Sequence, residues 1–211
     1  MINYQKELEK LIAALPENTA PPTLLLHSCC APCSSYVLEY LSNHFAITVD
    51  YYNPNISPEA EYRLRAEEQK RLIEAMPTRF PVRFTEGAYE PQVFYNAVKG
   101  LESCPEGGER CFVCYELRLR EAALRAKEGG YDYFTTTLSI SPLKNAAKLA
   151  ELGQTIGNEI GVAYLPSDFK KKEGYKRSIA LSHEYGLYRQ DFCGCVFSKQ
   201  EAERRNLESV L

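Results

Sequence analysis

The sequence has no apolar run near the roughly 18 residues that a membrane-spanning helix needs. Its first ten residues are polar and acidic and lack the apolar core of a secretory signal, which predicts a cytoplasmic protein without a membrane partner. Neither sign of charge is in large excess, because 25 Lys and Arg stand against 28 Asp and Glu, for a net charge of −3. This balance excludes a basic protein that coats nucleic acid by bulk charge, although it permits a local basic face.

Two nucleotide-binding signatures are also missing. The sequence contains neither GxxxxGKS/T nor GxGxxG, so neither ATP nor NAD binding is indicated. No internal repeat, low-complexity tract or linker interrupts the 211 residues, of which 45% are hydrophobic and 25% are charged. This length and composition predict one globular domain over 1–211, which buries about 70% of the surface of the unfolded chain.

Strand-like and helix-like segments alternate along the chain. Short apolar runs predict strands at 23–27, 46–52, 81–84, 131–136 and 162–164. Helical spacing predicts helices at 3–14, 32–42, 58–76 (with Ser57 as N-cap and Pro58 at the first helical position), 90–99, 111–127, 143–159, 173–185 and 198–207. The alternation predicts an α/β fold, a single domain with a mostly parallel sheet and helices on both faces.

Eight cysteines stand out in this composition, although they are too few for a disulfide-built protein. Seven of them fall in three short groups, which are Cys29, Cys30 and Cys33; Cys111 and Cys114; and Cys193 and Cys195. In a reducing compartment, grouped thiols more often bind metal or do redox work than form structural disulfides. The eighth, Cys104, lies alone in a loop and is expected to be a bystander.

The first group lies where a predicted strand ends and a predicted helix begins. Ligands of open α/β sheets bind outside the carboxyl ends of the strands, and a helix N-terminus stabilises negative charge. Thiolates placed there should have depressed pKa values, which makes these cysteines candidate metal ligands or nucleophiles. The alternative is that the vicinal cysteines are packing residues.

The second group, Cys111 and Cys114, forms a CxxC motif at the start of a predicted helix. This spacing suits zinc, an iron–sulfur cluster or a thioredoxin-type dithiol. The dithiol is disfavoured because the motif follows a glycine-rich loop and not the first strand of a βαβ unit. Zinc and an iron–sulfur cluster would each use Cys29, Cys30, Cys111 and Cys114, and the spacing leaves both open.

The third group favours electron transfer. Cys193 and Cys195 are separated by Gly194 alone, so a disulfide between them would close a small, strained ring. Strained disulfides are labile and tend to be catalytic, which suits a redox-active pair beside a cysteine-ligated metal. The alternative is a second, independent metal knuckle.

A basic stretch near the predicted seventh helix is a candidate RNA contact. Its members are Lys170, Lys171, Lys172, Tyr175, Lys176 and Arg177. Interleaved basic and aromatic side chains suit the phosphates of an anticodon stem and one stacked base. The alternative is a solvated helix start.

Five segments together resemble one known family. They are HSCCAPCS (27–34), CFVCYELRL (111–119), YDYFTTTLSISPLKN (131–145), DFKKKEGYKRS (168–178) and YRQDFCGCVFS (188–198). In these segments the chain resembles the QueH family, the cobalamin-independent epoxyqueuosine reductases, over 23–198. The layout of strands and loops also resembles adenine-nucleotide α-hydrolase-like (Rossmann-like) folds.

The resemblance implies an oxidoreductase of queuosine biosynthesis, which reduces epoxyqueuosine to queuosine at the wobble position of tRNA. It implies a [4Fe-4S] cluster ligated by Cys29, Cys30, Cys111 and Cys114. Cys193 and Cys195 would be the redox-active pair, or ligands of an additional mononuclear iron. Cys33 stands where some members have an aspartate that can ligate that iron. The implied partners are tRNA carrying epoxyqueuosine and an electron donor that the sequence does not identify.

Two other functions compete with the reductase. One is a zinc-binding, RNA-binding protein without catalysis, which would use the same cysteines and the same basic stretch. The other is a nucleotide-dependent tRNA thiolase or ligase on the same scaffold, which the missing phosphate loop disfavours.

Overall fold

Five strands form one sheet in the computed structural model, which describes residues 2–16 and 20–208. The strands are β1 (Thr23–His27), β2 (Ala46–Tyr51), β3 (Val82–Glu86), β4 (Tyr133–Thr136) and β5 (Ala163–Tyr164). Their order is β3-β2-β1-β4-β5, and every pair of neighbours is parallel. The predicted parallel sheet is therefore confirmed, with the strand order of a Rossmann-like fold. Residues 1, 17–19 and 209–211 of the predicted domain lie outside the described residues.

Eight α-helices and one short 3₁₀-helix connect and flank the described strands. The helices are α1 (Tyr4–Ala13), α2 (Ala31–Leu41), α3 (Glu59–Ala75), α4 (Pro91–Ala97), α5 (Glu109–Glu128), α6 (Ala146–Ile160), α7 (Gly174–Glu184) and α8 (Val196–Glu208). The 3₁₀-helix spans Thr137–Ile140 and directly follows β4. Among these helices, none has the length and apolar character needed to cross a membrane.

Hydrophobic side chains of β1 alternate between two cores on opposite faces of the sheet. Leu24 and Leu26 belong to a core that also contains residues of α1, α2 and α3, whereas Leu25 belongs to a core built with α5 and α6. Successive side chains of a strand point to opposite faces, so this alternation covers the sheet on both sides. The prediction of helices on both faces is confirmed.

One detail of the predicted boundaries was wrong. The third helix begins at Glu59, so Pro58 occupies the N-cap position and not the first helical position. Ser57 lies one residue before the N-cap, and its backbone N–H donates to the carbonyl of Gly194, at 2.9 Å. This bond ties the start of α3 to the third cysteine group.

The order of the strands creates a crevice between β1 and β4. The chain leaves β1 toward β2 on one side, and β4 lies on the other side of β1. Ligands of open α/β sheets bind at such a switch point, outside the carboxyl ends of the strands. The first cysteine group and the 3₁₀-helix both follow the carboxyl ends of these two strands.

Candidate functional site

The first cysteine group lies between the end of β1 and the first turn of α2. The Sγ atoms of Cys29, Cys30 and Cys33 all lie within 4.8 Å of one another. Cys29 and Cys30 are buried, and their sulfurs are 3.9 Å apart. Three thiols converge here because Pro32 fits the first turn of α2 and brings Cys33 back toward the vicinal pair.

The three thiols share their protons unequally. Hydrogen bonds from the Cys30 and Cys33 thiols hold the pKa of Cys29 well below its ordinary value. The same hydrogen bonds, together with burial, raise the pKa of Cys30 and of Cys33. The predicted depression of the pKa therefore applies to Cys29 and not to Cys30 or Cys33.

The second and third cysteine groups meet at a small cavity. Cys111 and Cys114, on the first turns of α5, line it together with Cys193 and Cys195. The cavity measures about 10 Å³, which is room for about one water molecule. Burial raises the pKa of Cys114 to about 12 and also raises the pKa of Cys111 and of Cys195. Metal binding at such thiols would release protons.

The backbone of the third group is fixed from two sides. Gly194 has a φ of +118°, a conformation that L side chains rarely adopt. A Cβ at this position would also lie 2.9 Å from Ile56 Cγ1. Arg65 Nη1 donates to the Cys193 carbonyl at 3.1 Å. These restraints hold Cys193 and Cys195 beside the CxxC motif of α5.

A larger cavity of about 200 Å³ lies beside the first cysteine group. Its walls include Cys29, Cys33, Leu138, Ser141, Tyr175 and Arg189. Three side chains, those of Glu106, Lys144 and Cys193, line both the larger and the smaller cavity. The predicted ligands thus form two neighbouring groups, and Cys193 belongs to the wall between the two cavities.

Buried cations surround the clustered thiols. Arg65 is 1% exposed, Arg118 0% and Lys144 6%. Arg65 pairs with Glu61 at 2.7 Å, and Lys144 pairs with Glu106 at 2.8 Å. Because isolated buried charges are strongly disfavoured, each cation needs a counter-charge nearby.

Arg118 has no carboxylate partner among the described residues. Its Nη1 donates to Asn53 Oδ1 and its Nε donates to the Cys114 carbonyl, both at 3.3 Å. Negative charge on Cys114, Cys193 or Cys29 would favour this guanidinium. A fully buried guanidinium beside the thiols of the small cavity fits an anionic group held by those thiols.

Several buried polar atoms at the small cavity also have no hydrogen-bond partner among the described residues. They are both amide atoms of Asn55, Glu106 Oε2, Arg110 Nε, Tyr115 Oη and Arg118 Nη2. Native proteins leave few such atoms unpaired. Their concentration around four thiols fits a metal centre with sulfur ligands and hydrogen bonds from its surroundings.

His27 has a structural position at the end of β1. Its Nδ1 lies 2.9 Å from Thr136 Oγ1, and its Nε2 lies 3.2 Å from the Tyr52 carbonyl. Burial lowers the pKa of His27 to about 3, so the ring is neutral. The histidine bridges the carboxyl ends of β1 and β4 and leaves both of its nitrogens engaged.

Most cations of the basic stretch already pair with an acidic side chain, which the sequence does not indicate. Four of its cations form ion pairs, which are Lys170–Asp168, Lys172–Glu9, Lys176–Glu173 and Arg177–Glu39. Lys170 also donates to the carbonyls of Ser139 and Lys144, so it supports the turn after the 3₁₀-helix. Lys171 is exposed, and Tyr175 is 37% exposed beside the larger cavity.

Sequence reasoning missed Arg65, Arg118, Lys144 and Glu106. Arg118 follows Cys114 by four residues and so shares its helix face, a signal that the spacing contained. Lys144 and Glu106 both lie in loops, where no periodicity marks a buried side chain. Arg65 reaches the carbonyl of a residue 128 positions away, and that contact has no local signal.

Comparisons with known proteins agree on one family. The family model described as "Epoxyqueuosine reductase QueH" matches residues 24–201. An epoxyqueuosine reductase QueH of Staphylococcus epidermidis is 46% identical over 201 residues, which are 93% of this chain and 84% of that protein. The protein of the same name from Streptococcus pyogenes is 42% identical over 199 residues, 93% of this chain and 78% of that one. That of Thermotoga maritima is 34% identical over 192 residues, 88% of this chain and 95% of that one.

Proposed function

Since the chain belongs to the QueH family of epoxyqueuosine reductases, we propose that it reduces epoxyqueuosine to queuosine at the wobble position of tRNA. It is an oxidoreductase of queuosine biosynthesis. The observation that supports this chemistry most directly is the convergence of seven thiols and several buried cations at two adjoining cavities. The names of the relatives give no support to a zinc-binding protein without catalysis. We further propose that residues 1–211 act as a single reductase domain in the cytoplasm.

The cysteines would hold the redox cofactor. Our proposal assigns a [4Fe-4S] cluster to Cys29, Cys30, Cys111 and Cys114. It assigns Cys193 and Cys195 either to a redox-active dithiol or, with Cys33, to an additional iron. When bound, such a centre supplies electrons one at a time and an iron that can act as a Lewis acid. The assignment is supported by the lining of two adjoining cavities, which together include all seven thiols.

The residues of the chain itself would bind and orient the substrate. The larger cavity, with Tyr175 at its wall, would receive the modified base, and the exposed Lys171 would contact backbone phosphate. Reduction of an epoxide to an alkene consumes two electrons and two protons and releases the oxygen as water. An external electron donor must therefore reach the site in each turnover.

The test is conversion of the modified nucleoside in tRNA. Anaerobically reconstituted protein is incubated with a strong reductant and tRNA that carries epoxyqueuosine, and the tRNA is then digested to nucleosides for mass spectrometry. We expect queuosine to replace epoxyqueuosine, with the loss of one oxygen atom. The Cys104→Ser variant is the control and should convert the substrate at the wild-type rate. Iron-loaded protein that leaves epoxyqueuosine unchanged would refute the proposal.

A further inference from the structure

The wall between the two cavities contains a buried ion pair that no sequence motif marks. Lys144 lies in the turn between the 3₁₀-helix and α6, and its side chain is 5% exposed. Its Nζ donates to Glu106 Oε1 at 2.8 Å. The Glu106 side chain is 7% exposed, and its backbone N–H donates to Glu201 Oε2 at 3.1 Å. The hydrogen bond to Glu201 thus holds Glu106 in place from outside the ion pair.

The position of Lys144 is reinforced by a second lysine. Lys170 Nζ donates to the Lys144 carbonyl at 3.3 Å and to the Ser139 carbonyl at 3.1 Å. The Lys144 backbone N–H donates to the Ser141 carbonyl at 3.1 Å. A long side chain on a braced turn loses little further freedom when it binds a ligand, so this lysine is preorganised.

The ammonium of Lys144 has unused hydrogen-bonding capacity. A lysine ammonium has three N–H donors, and Glu106 is the hydrogen-bond partner that the described residues give this one. The Glu106 carboxylate, 2.8 Å away, favours the charged form of the lysine. The side chain lines the larger cavity, where a ligand can accept the remaining donors.

Lys144 differs from the buried arginines of the site in its position. Arg65 pairs with Glu61 and the Cys193 carbonyl, and it lines the larger cavity but not the smaller one. Arg110 and Arg118 line the smaller cavity and not the larger one. Of the buried cations described, Lys144 alone lines both cavities.

We propose that Lys144 binds the epoxide oxygen of the substrate and that Glu106 positions Lys144 for this contact. The inference rests on the proposed function, because it assumes that the larger cavity receives the epoxide. During reduction both C–O bonds break, a C=C bond forms, and the oxygen leaves as water after taking up two protons and two electrons from the external donor. Negative charge grows on the oxygen as the C–O bonds break, and a fixed ammonium in a dry site stabilises that charge.

The test compares two tRNAs that differ by this oxygen. Binding of epoxyqueuosine tRNA and of queuosine tRNA is measured anaerobically without reductant, so that no turnover occurs. Wild-type protein should prefer the epoxide by roughly tenfold or more, since a hydrogen bond from a charged donor contributes about that much. Lys144→Gln should bind the two tRNAs equally, while it retains wild-type iron content. In turnover, its kcat should fall by roughly a hundredfold.

Three further variants separate the charge of Lys144 from effects on folding. Lys127→Gln, an exposed lysine at the end of α5, is the matched control and should keep both the preference and kcat. Lys144→Arg should restore part of the preference, because it restores the charge. The double variant Glu106→Gln/Lys144→Gln replaces the ion pair by two amides, which avoids an unpaired buried carboxylate, and it should also lack the preference.

Two results would overturn the inference. One is a Lys144→Gln variant that keeps the wild-type preference and kcat. The other is a wild-type protein that reduces epoxyqueuosine tRNA but binds the two tRNAs equally. Failure of the proposed function itself would look different, because iron-loaded wild-type protein would then convert no epoxyqueuosine.

Discussion

At the scale of single residues, removing the charge of Arg118 tests whether the cysteines hold a redox centre. This guanidinium is fully buried and has no carboxylate partner among the residues that the structure describes. Two unit charges about 8 Å apart interact by about 2 kcal/mol at an effective dielectric constant of about 20. A bound redox centre gains negative charge on reduction, so Arg118 should stabilise its reduced form.

Arg118→Met should therefore make the reduction potential of the bound centre more negative by about 90 mV, the one-electron equivalent of that energy. The potential is measured by redox titration of the visible absorbance of reconstituted protein. Arg120→Met is the matched control, because Arg120 lies on the same helix, is 41% exposed and pairs with Glu116 and Glu159. An Arg118→Met variant with full iron content and the wild-type potential would contradict this role.

A second residue-scale prediction concerns Asp50, which is fully buried on β2. Burial raises the pKa of Asp50 although Arg125 donates to its Oδ1 at 3.1 Å. In the pH window above the ordinary carboxyl pKa of about 3.9, the folded state therefore binds more protons than the unfolded state. In that window the contribution of Asp50 to the free energy of unfolding falls as the pH rises. Asp50→Asn removes this pH-dependent contribution. The free energy of unfolding of the variant, relative to that of the wild type, should therefore increase with pH above about 4.

Asp132 provides a control of opposite sign. Hydrogen bonds from the backbone N–H and the hydroxyl of Thr23 lower the pKa of Asp132. Asp132 thus contributes stability that is present above its unfolded pKa and is lost as the pH falls. Asp132→Asn should lose stability relative to wild type as the pH rises. Urea denaturation between about pH 3.5 and 7 measures both variants, and parallel pH profiles for the two would contradict the assignment.

At the scale of elements, α6 packs on β5 through two glycines. A Cβ at Gly157 would lie 2.7 Å from the Val162 carbonyl oxygen, and one at Gly153 would lie 2.4 Å from the Tyr164 ring. Helix propensity alone predicts that Gly157→Ala stabilises the protein by about 1 kcal/mol. The close contact of the added methyl group with the Val162 carbonyl predicts a loss of stability instead, because overpacking costs about 1–3 kcal/mol.

We therefore expect Gly157→Ala to lower the free energy of unfolding by about 1–2 kcal/mol. Chemical denaturation gives the value. Gln154→Ala, an exposed position on the same helix, should change it by less than about 0.5 kcal/mol. A Gly157→Ala variant more stable than wild type would show that α6 can move away from β5.

The helices and strands themselves were largely predictable from the sequence. The apolar run of β1 and the helical spacing of α5 place both elements close to their observed bounds. The 3₁₀-helix Thr137–Ile140 was not predicted, because four residues are too few to show a period. The start of α3 was misplaced by one residue, because Pro58 occupies the N-cap position that was predicted for Ser57.

At the scale of the whole molecule, RNA binding by an acidic chain must come from a local surface. Within the basic stretch, Lys170 supports the turn that carries Lys144, whereas Lys171 and Lys172 are exposed. Replacing Lys171 and Lys172 by Gln should therefore weaken tRNA binding without loss of stability. The slope of log K against log salt concentration should flatten by roughly 0.7–0.9 for each phosphate that the variant no longer neutralises. Lys127→Gln is the control, and an unchanged slope in the double variant would place the tRNA elsewhere.

The assembly of the site was only partly predictable. The spacing of the cysteines marked all seven candidate ligands, because grouped thiols stand out in any sequence. The sequence did not show that Cys193 lies in the wall between two cavities, or that Arg65 and Lys144 lie beside it. Those positions depend on contacts between distant segments, which the tertiary fold alone brings together.

The chemistry proposed for the site depends on an iron–sulfur centre held by the clustered cysteines. The most direct test is metal and acid-labile sulfide analysis of anaerobically purified protein, with Cys114→Ser beside the wild type. We expect brown wild-type protein with about four or more irons and about four sulfides per chain, and a variant that loses most of both. Colourless wild-type protein that contains zinc and no sulfide would contradict the account.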